Sequence, residues 1–501
     1  MSELSRRDFL GQVAGAALAA SLPGALRAQP AAPKTARPPN VLFFIVDDMR
    51  VELGCYQSMF GCLTPNMDAL AKSGVRFDRN YCQYPLCNPS RASLFTGHYP
   101  TSTRVLGNRT NFRDLHPDWV SLPQLFKENG YASLRTGKIF HGGYDDVKAW
   151  TEGGGVPDGP GGAGGHTLVI PRTEGPPPPP YVKPPLAQDI QQAPTSDRIV
   201  VLDGNGEGHP DYHTADTAIE YLRAHRDGPF FLGCGFVKPH SPPCAPQKFL
   251  DLYDPAKIRL TPDFAPWPTV PPGFPSAAIR KQNADLFIGR HASEAEAKEV
   301  IRAYIASTSW TDWNLGRVMA ELDRLGLRDN TIVVLAVDHG YQLGEKGKWS
   351  KAGSLFEMGT RVPLIIAAPG TKGNGRECFR PVQSLDVYPT LVELCGLPSP
   401  PQGLHGASLT PLLRDPGAAW DRPAYSIWSE DGRTLHGVAV RTAQWRYAEY
   451  GQDGVNGAML FDPQADPLEM TNLAHDPKYA PVVAELSALT RKYAATLPAS
   501  A

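Results

Sequence analysis

Two nearly uninterrupted apolar runs stand out along the chain, at 41–46 and at 331–337. A strand with one face in water alternates apolar and polar residues, whereas a strand buried on both faces is apolar throughout. Asp47 and Asp48 follow the first run, and Asp338 follows the second. The pattern therefore predicts two buried strands of a parallel sheet, each with acidic residues at its carboxyl end.

Helical periodicity occupies much of the chain between and beyond these runs. Apolar residues at helical spacing predict amphipathic helices at 65–72, 122–129, 214–224 and 295–325. Strands that alternate with helices are typical of an α/β protein with a large, mostly parallel sheet covered by helices on both faces. Because ligands of such sheets bind beyond the carboxyl ends of the strands, the acidic residues predict where the functional site lies.

Gly and Pro interrupt this pattern at 153–185, which predicts a long surface loop without helix or strand. The loop either covers a binding site or is inert, and the sequence leaves both open. Strand-like segments at 424–428 and 437–441 and a helix at 480–497 then predict a smaller α+β C-terminal domain. The expected organisation is a signal peptide at 1–28, a linker at 29–39, a catalytic α/β domain at 40–419 and the C-terminal domain at 420–501.

The signal peptide is predicted from Arg6 and Arg7, which precede an Ala-rich apolar stretch at 11–22 and a small residue, Ala28. This order is typical of export by the twin-arginine (Tat) machinery. The alternative is a membrane anchor, but about a dozen apolar residues are too few to span a bilayer. We therefore expect no stable membrane span and a periplasmic or secreted protein.

Charge and cysteine content narrow the functional classes further. The formal net charge is -2, from 49 basic and 51 acidic residues, which disfavours a nucleic-acid partner bound by bulk electrostatics. An anionic ligand would need a local basic cluster instead. Eight cysteines permit disulfides in an exported protein, but their spacing establishes no pairing.

The segment 87–97 reads Cys-Asn-Pro-Ser-Arg-Ala-Ser-Leu-Phe-Thr-Gly. Pro89 suits the first turn of a helix that begins here, and the free N–H groups of a helix N-terminus favour an anion. A lone cysteine is more often a buried thiol than a functional group. Four specified residues at fixed spacing (Cys87, Pro89, Ser90 and Arg91) rarely match by chance, which favours function.

This segment resembles the signature of the type I sulfatases, which belong to the alkaline phosphatase-like superfamily. The resemblance implies that fold, and a formylglycine made from Cys87 by a maturation enzyme. The hydrate of this aldehyde would attack a sulfate ester, while Arg91 and Lys138 hold the hydrate and the sulfate. The basic residues outside the signature that match sulfatase positions are Lys138, His141, His240 and Lys351.

The resemblance also implies a role for each remaining group. Asp48 would assist deprotonation of the attacking hydroxyl. His240 and Lys351 would protonate or stabilise the departing alkoxide. His141 would then accept a proton from the second hydroxyl, which releases sulfate and restores the aldehyde.

A metal site is predicted from the acidic strand ends. Asp47, Asp48 and Asp338 offer the carboxylate oxygens that Ca²⁺ prefers, with Mg²⁺ possible. The sulfatase pattern adds Cys87 and His339 as ligands. An imidazole is a poorer ligand for Ca²⁺ than an oxygen donor.

The segments 126–131 and 341–345 resemble the iduronate-2-sulfatase branch, which implies a sulfated sugar such as a uronate 2-sulfate. Asn108, Arg109 and Arg113 could recognise the uronate. The expected function is thus hydrolysis of a sulfated carbohydrate or another small sulfate ester. Two alternatives stay open, a phosphate or phosphonate ester hydrolase of the same superfamily, and a non-catalytic sulfated-glycan binder if Cys87 is unmodified.

Overall fold

The computed structural model describes residues 37–154, the backbone of 165–169, and residues 198–497. The predicted signal peptide at 1–28 and most of the linker at 29–39 lie outside the described residues, as do 155–164 and 170–197. From residue 38 onward the described chain forms one compact unit.

The strands, in chain order, are β1 (Asn40–Val46), β2 (Val75–Phe77), β3 (Asn80–Tyr81), β4 (Ala132–Gly137), β5 (Gly165–Val169), β6 (Arg198–Leu202), β7 (Phe230–Phe236), β8 (Cys244–Pro246), β9 (Thr331–Val337), β10 (Leu364–Ala367), β11 (Glu377–Cys378), β12 (Val382–Gln383), β13 (Ala424–Trp428), β14 (Gly437–Arg441), β15 (Arg446–Tyr450) and β16 (Ala458–Phe461). The α-helices are α1 (Pro65–Ser73), α2 (Cys87–Thr96), α3 (Pro100–Thr103), α4 (Phe112–Leu115), α5 (Leu122–Glu128), α6 (Pro210–Ala224), α7 (Gln247–Leu250), α8 (Glu294–Arg324), α9 (Glu357–Thr360), α10 (Val387–Cys395), α11 (Thr410–Arg414) and α12 (Ala480–Ala494). Every helix and strand predicted above is present, with small shifts at the ends.

The central sheet has seven strands in the order β11-β2-β10-β9-β1-β7-β4. The four strands at one side of the sheet, β9, β1, β7 and β4, are parallel, and β10 runs antiparallel to β9. Alternate residues of β1 enter different cores: Phe43 packs into the core on one face of the sheet and Phe44 into the core on the other. The expected α/β fold, with a mostly parallel sheet buried on both faces, is confirmed.

The prediction of a structureless loop at 153–185 is wrong in part, because β5 lies inside it. The backbone of β5 pairs antiparallel with β6, and β6 pairs in parallel with β8 to form a three-stranded sheet. The physical reason is that Thr167 and Val169 interrupt the Gly/Pro composition with β-branched residues. A strand partner distant in sequence, β6, completes the pairing.

The C-terminal region is an antiparallel meander, β13-β14-β15-β16, against which α12 packs. Tyr84, Phe356, Ile427 and Phe461 share one buried cluster, so apolar contacts join this meander to the rest of the fold. The turn after β13 reaches the site described below. Among the described helices, none is both long and apolar enough to cross a membrane.

Candidate active site

The acidic groups meet where two neighbouring strands end. β1 and β9 run in parallel with Val46 opposite Val337, so the residues that follow them emerge side by side. The backbone N–H of Asp48 donates to Asp338 Oδ1 at 3.2 Å. Asp48 has φ 58°, a left-handed conformation that is uncommon outside glycine and is often found at functional sites.

Cys87 is the first residue of α2 and is 2% exposed. Its Sγ lies 3.2 Å from His339 Nε2 and donates to Asp47 Oδ1 at 3.4 Å. Burial, and then the negative charge of Asp47, raise the pKa of the thiol well above its ordinary value. The unmodified cysteine is therefore a protonated thiol, which is a weak nucleophile and a weak ligand.

Four side chains converge as candidate metal ligands. Each offers one ligand atom, and these four atoms lie within 4.8 Å of one another. The four residues are Asp47, Asp48, Cys87 and His339. Asp48 Oδ1 is buried without a hydrogen-bond partner. His339 Nδ1 lies 3.0 Å from the carbonyl of Gly340, to which it can only donate, so Nε2 presents its lone pair to the cluster. A divalent cation would satisfy both atoms, so the donor set fits one.

Asp338, the remaining predicted ligand, lies beside this group and is engaged by the protein. Its Oδ1 accepts the backbone N–H groups of Asp48 and His339, and its Oδ2 accepts Arg91 Nε at 2.9 Å. Burial raises the pKa of Asp338 to about 6. The carboxylate thus fixes the two strand ends relative to the helix that carries Cys87.

Arg91 and Lys138 surround Asp47. Arg91 is fully buried, and its Nη1 donates to the carbonyls of Lys138 (2.7 Å) and Ile139 (2.8 Å), which hold the guanidinium in place. Its Nη2 lies 3.5 Å from Asp47 Oδ1 without a hydrogen-bond partner. Lys138 Nζ forms an ion pair with Asp47. Although burial opposes it, the charges of Lys138 and Arg91 keep the pKa of Asp47 well below its usual value.

The backbone of Lys138 reaches this place because β7 carries a glycine opposite it. A Cβ at Gly235 would lie 2.0 Å from the carbonyl oxygen of Lys138, so only glycine allows this approach. The Lys138 N–H donates to Gly235 O at 2.9 Å. The sequence pattern gave no indication of this contact.

Lys351 and His240 are grouped around Asp48. Lys351 Nζ lies 2.9 Å from Asp48 Oδ2, 3.1 Å from His240 Nε2 and 3.1 Å from Asp285 Oδ1. His240 Nδ1 donates to the carbonyl of Ser241 at 2.7 Å, which leaves Nε2 to accept from Lys351. Burial and the positive charge of Lys351 lower the pKa of His240, so this imidazole is neutral. Asp285 was not predicted, because it lies in an irregular segment without a motif.

His141 lies on the wall of the cavity that opens at Cys87. Burial and the neighbouring charge of Lys138 lower its pKa to about 2, and its Nδ1 is buried without a hydrogen-bond partner. The imidazole is therefore neutral. All the predicted catalytic side chains, Cys87, Arg91, Lys138, His141, His240 and Lys351, gather at this one end of the sheet.

The cavity has a volume of about 410 Å³ and is lined by Cys87, His141, His240 and Lys351. Its lining residues that were not predicted from the sequence include Arg280, Trp428, Glu430, Asp431 and Arg433. Arg280 is paired with Glu430 at 3.2 Å. The rim therefore combines one aromatic ring, Trp428, with both basic and acidic side chains.

Of the three residues suggested for uronate recognition, two line the cavity and one does not. Arg109 lines the cavity, as does Asn108, whose Oδ1 accepts the backbone N–H of Asn88 at 3.1 Å. Arg113 does not line it, because its guanidinium is paired with Asp146 at 2.6 Å. The suggestion is wrong for Arg113, whose charge is committed to a buried carboxylate.

Comparison with known proteins gives the family. The family model described as "Sulfatase" matches residues 39–397, and a model described as "N-sulphoglucosamine sulphohydrolase, C-terminal" matches residues 344–495. The chain belongs to the sulfatase family. It is therefore an enzyme that hydrolyses sulfate esters. Proteins of this family generally use a formylglycine and a divalent metal, and the site contains side chains suited to both.

Individual relatives support the same family assignment. A "Sulfatase" of Formosa agariphila is 32% identical, with 91% of this chain and 87% of the relative covered. The "Iduronate 2-sulfatase" of Homo sapiens is 28% identical, with 87% and 91% covered. Among solved structures, a "2-O GAG sulfatase" has a TM-score of 0.65 at 26% identity, covering 91% of this chain and 92% of its own. A phosphonate monoester hydrolase from Silicibacter pomeroyi has a TM-score of 0.67 at 25% identity, covering 91% and 95%.

Proposed function

We propose that this sulfatase acts on a sulfated sugar, through a formylglycine made from Cys87 and a divalent cation. The observation that carries the proposal is the position of Cys87, which begins α2 at the base of the cavity, in contact with both Asp47 and His339. A buried, protonated thiol suits neither nucleophilic attack nor a hard cation. An aldehyde hydrate would supply oxygen atoms at the same place.

The proposed cation ligands are Asp47, Asp48, Asp338, His339 and the modified Cys87. A cation held there would offset the charge of the sulfate and polarise it. Oxygen donors favour Ca²⁺, with Mg²⁺ as the alternative. The unpartnered buried oxygen of Asp48 supports this assignment.

The protein's own side chains supply binding and proton transfer. Arg91 and Lys138 present N–H groups beside Cys87, and Nη2 of Arg91 makes no hydrogen bond although it lies 3.5 Å from Asp47. Lys351 is kept cationic by Asp285 and Asp48, which raise its pKa well above its ordinary value although burial opposes this. Because this lysine lines the cavity itself, it can deliver a proton directly to a departing alkoxide.

The second proton transfer is assigned to His141. Its imidazole lines the same cavity as Cys87, and its Nδ1 is buried without a hydrogen-bond partner. An imidazole at this point would accept the proton from the remaining hydroxyl at Cys87, so that the aldehyde re-forms as the C–O bond to the sulfate breaks.

The sugar assignment rests on the cavity and on the relatives. A volume of about 410 Å³ lies in the range of small-molecule sites, and Trp428 offers an apolar face at the rim. Arg109 also lines the rim, and its guanidinium has no ion pair among the described residues. A uronate 2-sulfate, as the name of the human relative suggests, would place its carboxylate within reach of such a cation.

We further propose export by the twin-arginine machinery to the periplasm or beyond, with the signal peptide at 1–28. This rests on the sequence alone. Because this machinery carries folded proteins, the maturation enzyme would modify Cys87 before export. Fractionation of the native host, with an antibody against the protein, tests the location.

A phosphonate or phosphate ester hydrolase is the second candidate, favoured by the likeness to the phosphonate monoester hydrolase. The test compares kcat/KM for 4-nitrophenyl sulfate, 4-nitrophenyl phenylphosphonate and a disaccharide with a terminal uronate 2-sulfate. We expect both sulfates to exceed the phosphonate, and the disaccharide to exceed the aryl sulfate. Preference for the phosphonate would reverse the order of the candidates, and preference for the aryl sulfate would remove the sugar assignment.

A further inference from the structure

A second cavity of about 990 Å³ lies beside the catalytic cavity and has no part in the proposed chemistry. The two cavities share Leu106 and the turn at 431–433 as lining residues, so they meet at this ridge. The far wall of the second cavity comes from the C-terminal region, with Glu449 of β15 and Arg491 of α12. A ligand that leaves the first cavity over the ridge therefore enters the second.

The ridge is held rigidly from below. The fully buried Tyr84 places its hydroxyl 2.9 Å from the carbonyl of Leu106, and the same oxygen accepts the N–H of Ser429 at 2.9 Å. One side chain thus ties the two loops that form the ridge. The relative position of the cavities is part of the fold.

The acidic side chains of the second cavity are occupied by the protein. Asp431 accepts hydrogen bonds from the N–H groups of Arg433 and Thr434 and from the hydroxyl of Ser429. Glu449 accepts from Ser487, Thr490 and Tyr447. Asp453 lies 3.8 Å from Arg491, which also lies 3.9 Å from Glu449. These carboxylates are therefore engaged within the protein.

Two arginines of the second cavity are not engaged. Arg104 and Arg433 are exposed, and neither guanidinium has a hydrogen bond or ion pair with any residue that the structure describes. Arg433 lines both cavities and Arg104 lines only the second. With Arg109 in the catalytic cavity, three unpaired guanidinium groups run from the reaction site across the ridge.

We infer that the second cavity binds the sugars next to the reacting one in a polyanionic oligosaccharide, with Arg104 and Arg433 paired to their sulfate or carboxylate groups. The inference rests on the proposed function and deepens it, since it names the substrate class as a chain with anions on successive sugars. Guanidinium groups suit such anions because they form paired hydrogen bonds with planar or tetrahedral oxyanions. A small sulfate ester fills only the first cavity.

The test measures sulfate release from heparin-derived disaccharide and tetrasaccharide probes that carry a terminal uronate 2-sulfate. We expect kcat/KM to be higher for the tetrasaccharide. Arg104→Ala should reduce this preference at least fivefold, through KM rather than kcat, and Arg104→Lys should retain part of it. Arg259→Ala is the matched control, because Arg259 is also exposed but lines neither cavity.

A binding measurement distinguishes a failure of this inference from a failure of the proposed function. Calorimetry on the full-length Cys87→Ala protein, with and without Arg104→Ala, gives the Kd of the tetrasaccharide without turnover. A Kd weakened severalfold by Arg104→Ala supports the second site even if no probe is hydrolysed, an outcome that would reject only the proposed function. Equal Kd values, or hydrolysis that is equally efficient for both chain lengths, would overturn the inference.

Discussion

At the scale of single residues, the left-handed backbone of Asp48 is held by a buried network. The Tyr304 hydroxyl donates to the carbonyl of Asp48 at 2.6 Å and accepts the backbone N–H of Arg50 at 3.0 Å. The Arg50 guanidinium is itself fixed by Glu345 at 2.7 Å and Glu52 at 3.3 Å. These contacts determine the conformation of Asp48, a proposed cation ligand, because a strained conformation persists only when its surroundings determine it.

Tyr304→Phe should therefore weaken the binding of Ca²⁺. We expect a loss of about tenfold in affinity, the size typical of changes to residues that orient metal ligands. Titration of the metal-free enzyme with Ca²⁺, followed by activity and by calorimetry, measures this affinity. Tyr388→Phe is the matched control, since Tyr388 donates at 2.9 Å to the carbonyl of Val120 in another part of the fold; equal affinities in the two variants would contradict the account.

Cys87→Ser tests the need for a second hydroxyl at this position. A serine has only one, so attack on the ester should leave a sulfate bound to the introduced side chain that cannot be released. We expect turnover to fall by at least about 10³-fold, with sulfated protein detected by mass spectrometry after incubation with substrate. Turnover at the normal rate would contradict the mechanism, and Cys87→Ala supplies the unlabelled control.

The sequence predicted the residues that a motif or a strand end contains. Asp47 and Asp338 follow apolar runs, and Arg91 lies in the signature, so local pattern was sufficient for them. Asp285 and Arg433 come from irregular segments that only the tertiary fold brings to the cavity. No periodicity or spacing in the sequence could have placed them there.

At the scale of elements, strands buried on both faces and long amphipathic helices were predictable, because burial imposes a strong pattern. Short strands such as β3 and β12 carry too few residues for any pattern.

A buried carboxylate lies at the start of α10. The Asp386 carboxylate, directly before this helix, accepts the N–H groups of Gln383 (2.9 Å) and Ala407 (2.8 Å), which ties the preceding and following segments to the start of the helix.

Burial raises the pKa of Asp386 from 3.8 to about 6. The folded protein therefore retains this proton between pH 4 and 6, where the unfolded chain has lost it, so the stability from this group is present below about pH 4 and is lost as the pH rises through about 6. The free energy involved is about 2–3 kcal/mol. Asp386→Asn cannot titrate, so its melting temperature should rise relative to the wild type between pH 4.5 and 7. A difference that stays constant with pH would contradict this.

At the scale of the whole molecule, buried charges join the C-terminal meander to the central fold. Arg446 of β15 lies 2.8 Å from Glu469 and 3.6 Å from Glu357, and it donates to Thr360 at 2.9 Å. Arg441 of β14 lies 3.1 Å from the same Glu357. Because the meander supplies Trp428 and Arg433 to the cavity rim, this junction also sets the shape of the substrate site.

Arg446→Met should destabilise the protein by about 3 kcal/mol, since it removes the close ion pair of the buried Glu469. Arg376→Met removes a pair of similar length, 3.3 Å to Asp415, that is more than half exposed. That control should change stability by less than about 1 kcal/mol. Denaturant unfolding measures both, and equal effects would contradict the importance of the junction.

The central claim is that Cys87 is converted to an aldehyde. The most direct measurement is the mass of the tryptic peptide at 80–91 from protein made in its native host, with fragmentation to separate Cys87 from Cys82 and an aldehyde-reactive probe as a control. The account predicts the aldehyde mass at Cys87 and an unchanged thiol at Cys82. An unmodified Cys87 in most molecules of active enzyme would contradict it.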